Sequence, residues 1–223
     1  MKPLLCCVVV VSVLTGCQTL EQEVVAPGGE GVAPDILLGH VPGGLPEDFY
    51  DEAEMVTHEA VLEYVATSDQ ITSGGALETQ AMIPLVSPEW WESEQVGFDY
   101  FVESSLRTVG TSDVRNFLVQ SARNTPSPSV EVGVIACVDT TAVFALPLEA
   151  SNPPESVWEW HPHYEDFDGD PTQWEQIEAF LEQPGLSWGS VEPVVFWFEG
   201  PTMDSLLLIS SMPWWGVYPC VPK

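Results

Sequence analysis

Acidic and imidazole side chains are concentrated in one stretch of the chain, "HPHYEDFDGD", residues 161–170. Three aspartates alternate there: Asp166, Asp168 and Asp170. Carboxylates at every second position begin a calcium-binding loop, because hard divalent cations need several converging oxygen ligands. The following residues depart from that pattern, since Pro171 stands where the turn needs glycine and Ile177 where a bidentate glutamate closes the ligand shell. We therefore predict weak, unselective attraction of cations and no structural metal site.

A single histidine within an apolar helical pattern is the next candidate. His58 follows Met55 by three residues and precedes Leu62 by four, which places it at the border of the apolar stripe. An imidazole in an apolar cavity can act as a general base, but a hydrogen-bonded histidine at a helix edge is the simpler interpretation. The segment "HEAVL" begins like a zinc-binding HExxH helix, and Leu62 occupies the second ligand position. We expect no catalytic residue and no cofactor.

Apart from Lys223 at its last position, the lysine and arginine residues of the predicted domain are Arg107, Arg115 and Arg123. Arg115 and Arg123 are eight positions apart, so they share a face if they lie in one unbroken strand. We expect the three arginines to neutralise neighbouring carboxylates. A small anion-binding site is the alternative.

Tryptophans give a third kind of candidate. Trp158 and Trp160 lie on one side of the chain if their segment is extended. An exposed aromatic pair of this kind could stack on the sugar rings of a cell-wall glycan, although most tryptophans are simply buried.

The amino terminus has the organisation of an export signal. Lys2 precedes an apolar run, residues 4–14, which is shorter than the roughly 17 to 25 residues of a membrane-spanning helix. The sequence "LTGC", residues 14–17, resembles the lipobox of bacterial lipoproteins. That resemblance implies that residues 1–16 are a signal peptide, that Cys17 is acylated, and that the protein is lipid-anchored at the extracytoplasmic face of the cell membrane. An ordinary secretory signal with an incidental cysteine is the alternative.

Export leaves two cysteines available for pairing. Cys6 and Cys7 would leave with the signal peptide and Cys17 would carry lipid, so Cys137 and Cys220 remain. In an oxidising exterior they are expected to form a disulfide, and two separately buried thiols are the alternative. No CxxC or Cys/His spacing indicates a zinc site.

Charge limits the partners. The chain has 34 acidic residues against 5 basic ones, a formal net charge of −29. This excess excludes a nucleic-acid binder that neutralises phosphates, and it disfavours direct contact of the domain with an anionic membrane. The domain is then expected to be attached to the membrane through the lipid alone. A high-salt habitat and an acidic surface selected for solubility explain the acidity equally well.

One folded domain, residues 46–223, is expected after a tether rich in Gly and Pro, residues 17–45. Apolar residues make up 45% of the chain, which is ample for a packed core. Helical spacing links Ala53, Val56, Ala60 and Tyr64, and Tyr64 is expected in the core. Shorter helical stretches are predicted at 76–85 and 88–106.

Apolar and β-branched runs replace the helical pattern after Gly110. The predicted strands are "SDVRNFLVQSAR", "SVEVGVIACVD", "TTAVFALPL", "EPVVFWFEG" and "DSLLLISSM". Helices followed by strands indicate the α+β class, with N-terminal helices packed on one face of an antiparallel sheet.

This arrangement, together with "VEVGVIACVDTTAVFAL" and a late "PWWGVYPC", is similar to small actinobacterial lipoproteins with a nuclear-transport-factor-2-like fold. The resemblance covers residues 46–148 and 190–220, and residues 149–190 form a long insertion between late strands. It implies helices that close the mouth of a curved, cone-like sheet, and a non-catalytic binding or envelope-interaction module. The expected partners are an envelope protein, a glycan or a small-molecule ligand. An isomerase-like enzyme that uses the cone cavity is the first alternative, and cell-wall glycan binding is the second.

Overall fold

The computed structural model describes residues 47–124, 129–160, 171–183, 185–214 and 220. Its α-helices are α1 (Glu47–Ser73), α2 (Pro88–Glu103), α3 (Glu155–Trp160) and α4 (Pro171–Leu181). Its strands are β1 (Leu106–Val109), β2 (Asp113–Asn124), β3 (Val130–Asp139), β4 (Phe144–Pro147), β5 (Ser187–Trp188), β6 (Val191–Gly200) and β7 (Leu207–Pro213). The predicted α+β class is confirmed. The predicted signal peptide and tether lie outside the described residues, and none of the described helices is both long and apolar enough to cross a membrane.

Helix α1 is long because one apolar stripe continues along it. Ala53, Val61, Tyr64 and Ile71 are buried on that stripe, whereas Met55 remains 60% exposed. The helix ends at Ser73, and the chain leaves it through Gly75, which has a left-handed backbone at φ 73°. The next amide, Ala76 N–H, donates back to the Ile71 carbonyl at 2.9 Å.

Helix α2 begins where the sequence predicts and ends earlier. The Ser87 hydroxyl accepts a hydrogen bond from the Trp90 amide at 3.1 Å, and Pro88 occupies the first helical position. The predicted helix 88–106 stops at Glu103 because Ser105 adopts φ 52° and the chain then enters β1. The predicted helix 76–85 is shorter too, a 3-10 helix over Gln80–Leu85.

The described strands form two antiparallel sheets. One has the order β2-β3-β6-β7 and the other the order β1-β4-β5. Alternate residues of β3, namely Val132, Val134 and Ala136, join the core against the helices. The main core therefore lies between α1, α2 and the four-stranded sheet.

A disulfide joins Cys137 of β3 to Cys220, as the two remaining cysteines predict, and their Cα atoms are 5.1 Å apart. Cys137 alternates with the core residues Ala136 and Val138, so the bridge lies on the sheet face away from the helices. The Trp214 amide donates to the Pro193 carbonyl of β6 at 2.7 Å. The chain after β7 is thus attached to the sheet at two points.

The predicted insertion, residues 149–190, contains α3, α4 and the short strand β5, which pairs with β4. Its apolar side chains build a second core together with β4: Phe144, Leu146, Val157, Ile177 and Phe180. The Arg107 guanidinium on β1 donates to the Ala150 carbonyl at 3.0 Å and to Asn152 Oδ1 at 2.8 Å. The described part of the insertion is therefore a packed subregion tied to β1.

Candidate functional site

The most unusual chemistry of the described chain is a buried pair of acidic groups between α1 and α2. Tyr64 of α1 and Glu94 of α2 are each only 1% exposed. The Tyr64 hydroxyl donates a hydrogen bond to Glu94 Oε1 at 2.7 Å. A carboxyl group this deeply buried is uncommon, because removing its charge from water is costly.

Helical spacing places this carboxyl in the interior. The buried side of α2 consists of Glu94, Gly97, Phe98 and Phe101, at positions i, i+3, i+4 and i+7. Tyr64 lies on the apolar stripe of α1 and packs edge-on against Phe196 of β6, with ring centroids 6.1 Å apart. The local sequence of each helix thus directs one acidic group into the same apolar region.

Burial dominates the protonation of this pair. It raises the pKa of the Glu94 carboxyl from 4.5 to about 7, although the hydrogen bond from Tyr64 acts in the opposite direction. Burial also raises the pKa of the Tyr64 hydroxyl well above 10.0, and the negative charge of Glu94 raises it further. Near neutral pH the pair can therefore hold or release one proton at Glu94.

Polar atoms without partners surround the pair. Glu94 Oε2, Trp90 Nε1 and Ser211 Oγ are buried and make no hydrogen bond of normal geometry. Trp90 nevertheless lies close enough to lower the pKa values of both Tyr64 and Glu94, and Ser211 lowers that of Tyr64. We define the buried polar cluster as Tyr64, Trp90, Glu94 and Ser211.

One surface groove lies between α1 and the turn from β1 to β2, with a volume of about 420 Å³. Its lining includes Leu62, Val65, Asp69 and Asp113. Neither Tyr64 nor Glu94 contributes to that lining. A groove with apolar walls and two carboxylates suits a ligand that has an apolar part and a positive charge.

Asp69 shapes this groove by holding the turn. Its two carboxylate oxygens accept hydrogen bonds from the Ser112 amide at 2.6 Å and the Ser112 hydroxyl at 2.8 Å. Burial raises the pKa of the Asp69 carboxyl, and the two bonds from Ser112 partly offset that effect. Asp69 is therefore a structural acceptor as well as a wall of the groove.

His58 lies in a second groove, which has a volume of about 380 Å³ and also contains Asp51, Glu54, Met55 and Phe117. His58 is exposed, and its imidazole packs edge-to-face with the Phe117 ring, with ring centroids 5.1 Å apart. The histidine thus makes an aromatic contact within the described residues, whereas a hydrogen bond was expected. An exposed imidazole lacks the apolar cavity that a tuned general base requires.

The arginines do not form a shared anion site in the described structure. Arg115 makes an ion pair with Asp139, as expected, whereas Arg107 binds carbonyl oxygens of the insertion. Strand β2 is not unbroken, because its pairing with β3 shifts register twice between Arg115 and Ser121. The two shifts cancel, however, because Arg115 pairs with Cys137 and Arg123 pairs with Glu131, six positions further along β3. The register therefore places positions 115 and 123 on one face of the sheet, as an unbroken strand would, and the Arg123 side chain lies outside the described part.

The predicted extended tryptophan pair is wrong, because residues 158 and 160 belong to helix α3. Trp158 packs edge-on against Phe144 with ring centroids 5.4 Å apart, as part of the second core. Among the described tryptophans, Trp188 of β5 and Trp174 of α4 have the most exposed side chains, at 50% and 39%. The glycan hypothesis thus loses the pair that motivated it.

The remaining predicted site residues cannot be placed. Cys17 and the aspartates Asp166, Asp168 and Asp170 lie outside the described residues. Among the residues that the structure describes, no group of three or more His, Cys, Asp or Glu side chains could hold a metal ion. The prediction of weak, unselective cation binding therefore stays a prediction.

Comparison with known proteins adds no relative, since no protein-family model and no curated protein matches this chain. The similarity to lipoproteins with a nuclear-transport-factor-2-like fold stays a prediction.

The sequence analysis missed Glu94, although the sequence contains a signal for it. In "EQVGFDYF" a glutamate occupies the first position of an otherwise apolar i, i+3, i+4, i+7 stripe.

Proposed function

We propose that this chain is a lipid-anchored protein of the extracytoplasmic face of the cell membrane, and that its domain is a non-catalytic binding or envelope-interaction module. The observation that carries the second part of the proposal is the filled space between the helices and the four-stranded sheet. An open cavity with an acid and a base would favour an enzyme, whereas a filled one favours a module.

Large side chains occupy this space from both sides. The sheet contributes Val132, Val134, Phe196, Phe198 and Leu208, and the helices contribute Tyr64, Phe98 and Phe101. All of these residues are at most 2% exposed. Glu94 lies among them, is only 1% exposed and lines neither of the grooves described above, which disfavours direct access of a substrate to its carboxyl group. Recognition by the external surface is the simpler use of this arrangement.

Charge and the amino-terminal sequence support the anchoring part of the proposal. The "LTGC" segment supplies a cysteine for acylation, and the tether, residues 17–45, separates that cysteine from α1. A net charge of −29 keeps the domain away from anionic lipid. Such a domain would meet envelope proteins, glycans or small molecules in the surrounding medium, with cations attracted diffusely.

Lipid attachment is tested by labelling with radioactive palmitate in a bacterial host that processes lipoproteins. The wild-type chain should incorporate the label and fractionate with membranes, whereas Cys17→Ser should lose both properties. Cys7→Ser is the matched control, because this cysteine lies within the predicted signal peptide and should leave labelling unchanged. Persistent labelling of Cys17→Ser would refute the anchor.

An isomerase-like enzyme is the second candidate, because Glu94 combines burial with a pKa near neutrality. Proton abstraction next to a carbonyl group would exchange hydrogen with solvent. We expect no protein-dependent deuterium incorporation when cyclic and linear ketones are incubated with the protein in heavy water. Incorporation by the wild type that disappears in Glu94→Gln would establish the enzyme and overturn the module.

A further inference from the structure

The buried polar cluster connects three elements of the main core. Tyr64 belongs to α1, Trp90 and Glu94 belong to α2, and Ser211 belongs to β7. The bond from the Tyr64 hydroxyl to Glu94 Oε1 is a side-chain link between the two helices. The position of α2 on the core therefore depends on a group that can change its charge.

Among the side chains that the structure describes, no positive charge lies near Glu94 to stabilise its ionised form. The groups that face it are the phenol of Tyr64 from α1 and the indole of Trp90 from α2, and the hydroxyl of Ser211 from β7 lies beside Tyr64. The arginines Arg107 and Arg115, whose side chains the structure describes, bind elsewhere. A buried carboxylate without a cationic partner is costly, so ionisation favours any movement that lets water reach it.

We propose that Glu94 is a proton-controlled latch, which holds α2 on the core while its carboxyl group is neutral and loosens α2 when that group ionises. The loosened helix would withdraw Phe98 and Phe101 from the apolar interior and let small apolar molecules enter. The rise in the carboxyl pKa to about 7 places the transition in the pH range of ordinary surroundings.

The chain before α2 has an attachment that does not involve the latch. The Ser87 amide donates to the Leu208 carbonyl at 2.8 Å, and Val86 forms a parallel bridge with Leu208 of β7. This attachment keeps the start of α2 on the sheet edge when the Glu94 contact is lost. The expected change is therefore a local release of the helix and not unfolding of the domain.

Hydrogen–deuterium exchange of the whole processed chain tests the latch. Exchange in peptides spanning Pro88–Glu103, corrected for the intrinsic pH dependence of amide exchange, should rise about tenfold between pH 6 and pH 8. The reason is that the neutral fraction of a group falls about tenfold between one unit below and one unit above its pKa. Peptides from β3 should not change. Fluorescence of the neutral apolar dye Nile red should increase in parallel.

Glu94→Gln keeps the shape of the side chain without its charge, so this variant should stay protected at both pH values. Glu92→Gln is the matched control, because Glu92 is exposed on the same helix and should behave like the wild type. Tyr64→Phe removes a donor that favours the carboxylate, so the transition of that variant should move to higher pH. A purely structural role for Tyr64 would not move the midpoint.

Two results would overturn the latch. One is an equal rise of α2 exchange in the wild type and in Glu94→Gln, and the other is no rise in the wild type. If Glu94→Gln fails to fold, carbon-13 titration of the wild-type glutamate carboxyls decides the question. A Glu94 midpoint below about pH 5.5 would then contradict the proposal, and one near 7 that coincides with the change in exchange would support it.

Discussion

The molecule contains two hydrophobic cores, and they differ in what they bury. The main core lies between α1, α2 and the four-stranded sheet, and it encloses Tyr64 and Glu94. The second core, between β4, α3 and α4, is built of apolar side chains alone, Phe144, Leu146, Val157, Ile177 and Phe180. Both cores follow the same packing rules, but the main core encloses a carboxyl group whose pKa is raised by burial to about 7, and no described side chain of the second core is ionisable.

This difference indicates which region can respond to its surroundings. An apolar core is stabilised by burial at any pH, so the second core is expected to behave as a passive support. The main core is destabilised when Glu94 ionises, because the charge has no cationic partner among the described side chains. A group that destabilises the folded state as the pH rises from 4.5 to about 7 is better explained by a conformational role than by packing.

The largest expected effect comes from removing a main-core ring. Phe196 is fully buried beside Tyr64, so Phe196→Ala should lower the free energy of unfolding by about 3–5 kcal/mol. Phe180→Ala in the second core is the matched change, and it should weaken amide protection in α4 while that of β3 persists. Urea titration and hydrogen exchange measure both effects. Equal loss of protection in both regions would show that the two cores form one cooperative unit.

The disulfide gives the next largest effect. It closes a loop of 83 residues that contains the whole second core, and the chain-entropy model gives it at most about 4.5 kcal/mol. Replacing Cys137 and Cys220 together with serine should therefore destabilise both regions, by roughly 2–4.5 kcal/mol in urea titration.

Mass spectrometry of the denatured, unreduced chain after alkylation checks the bond itself. Cys137 and Cys220 should take up no alkyl group. Labelling of both residues would mean that the native protein carries free thiols, and the double variant should then match the wild type in stability.

Sequence periodicity predicted the elements whose pattern is set locally. Helix α1, the start of α2 and the strands β2, β3, β6 and β7 all overlap predicted segments, although several of them end one to three residues outside those segments. Strand β1 was missed because the predicted helix included Leu106, and its extended form depends on pairing with β4, Leu106 opposite Pro147. The helices of the insertion were missed because their apolar partners come from β4, which is distant in sequence from α4.

The candidate functional residues show the same division between those that the local sequence predicts and those that depend on distant parts of the chain. The pairing of Cys137 with Cys220 followed from counting cysteines, whereas Glu94 was overlooked because a glutamate is normally exposed. Its burial depends on Tyr64, 30 residues earlier in the chain. A polar residue on an apolar stripe was the available signal, but its partner could not be identified before the two helices were placed together.

The pH dependence of the free energy of unfolding is a further difference that we expect between the main core and the second core. The folded-state pKa of Glu94 lies above its usual value of 4.5, so its favourable contribution is complete below pH 4.5 and is lost as the pH rises through about 7. Glu94→Gln should therefore match the wild type near pH 4.5 and exceed its free energy of unfolding by up to about 3 kcal/mol at pH 8. Urea titrations at several pH values measure this.

Glu92→Gln again serves as the control, and its pH profile should run parallel to that of the wild type. A constant offset between Glu94→Gln and the wild type, with no dependence on pH, would mean that Glu94 does not titrate in this range. The stability of the main core would then be as independent of pH as we expect that of the second core to be.

The smallest expected effect tests whether the insertion that contains the second core responds to cations. The aspartates Asp166, Asp168 and Asp170 come between α3 and α4 in the chain and begin a calcium-loop pattern that the following residues do not complete. Diffuse attraction of cations predicts small and similar increases in the thermal midpoint with calcium and with magnesium. At a free metal concentration equal to the dissociation constant, a single site would add only about 0.4 kcal/mol.

The measurement uses metal-stripped protein at physiological salt, with calcium, magnesium and additional sodium compared at matched ionic strength. Screening by sodium should remove most of the divalent effect, because diffuse attraction weakens as the Debye length falls. Asp168→Asn should change the midpoint little under every condition. A large shift with calcium alone, abolished by Asp168→Asn, would instead reveal a specific site in the insertion. The second region would then be the part of the molecule that responds to its surroundings, and the assignment of roles to the two cores would be reversed.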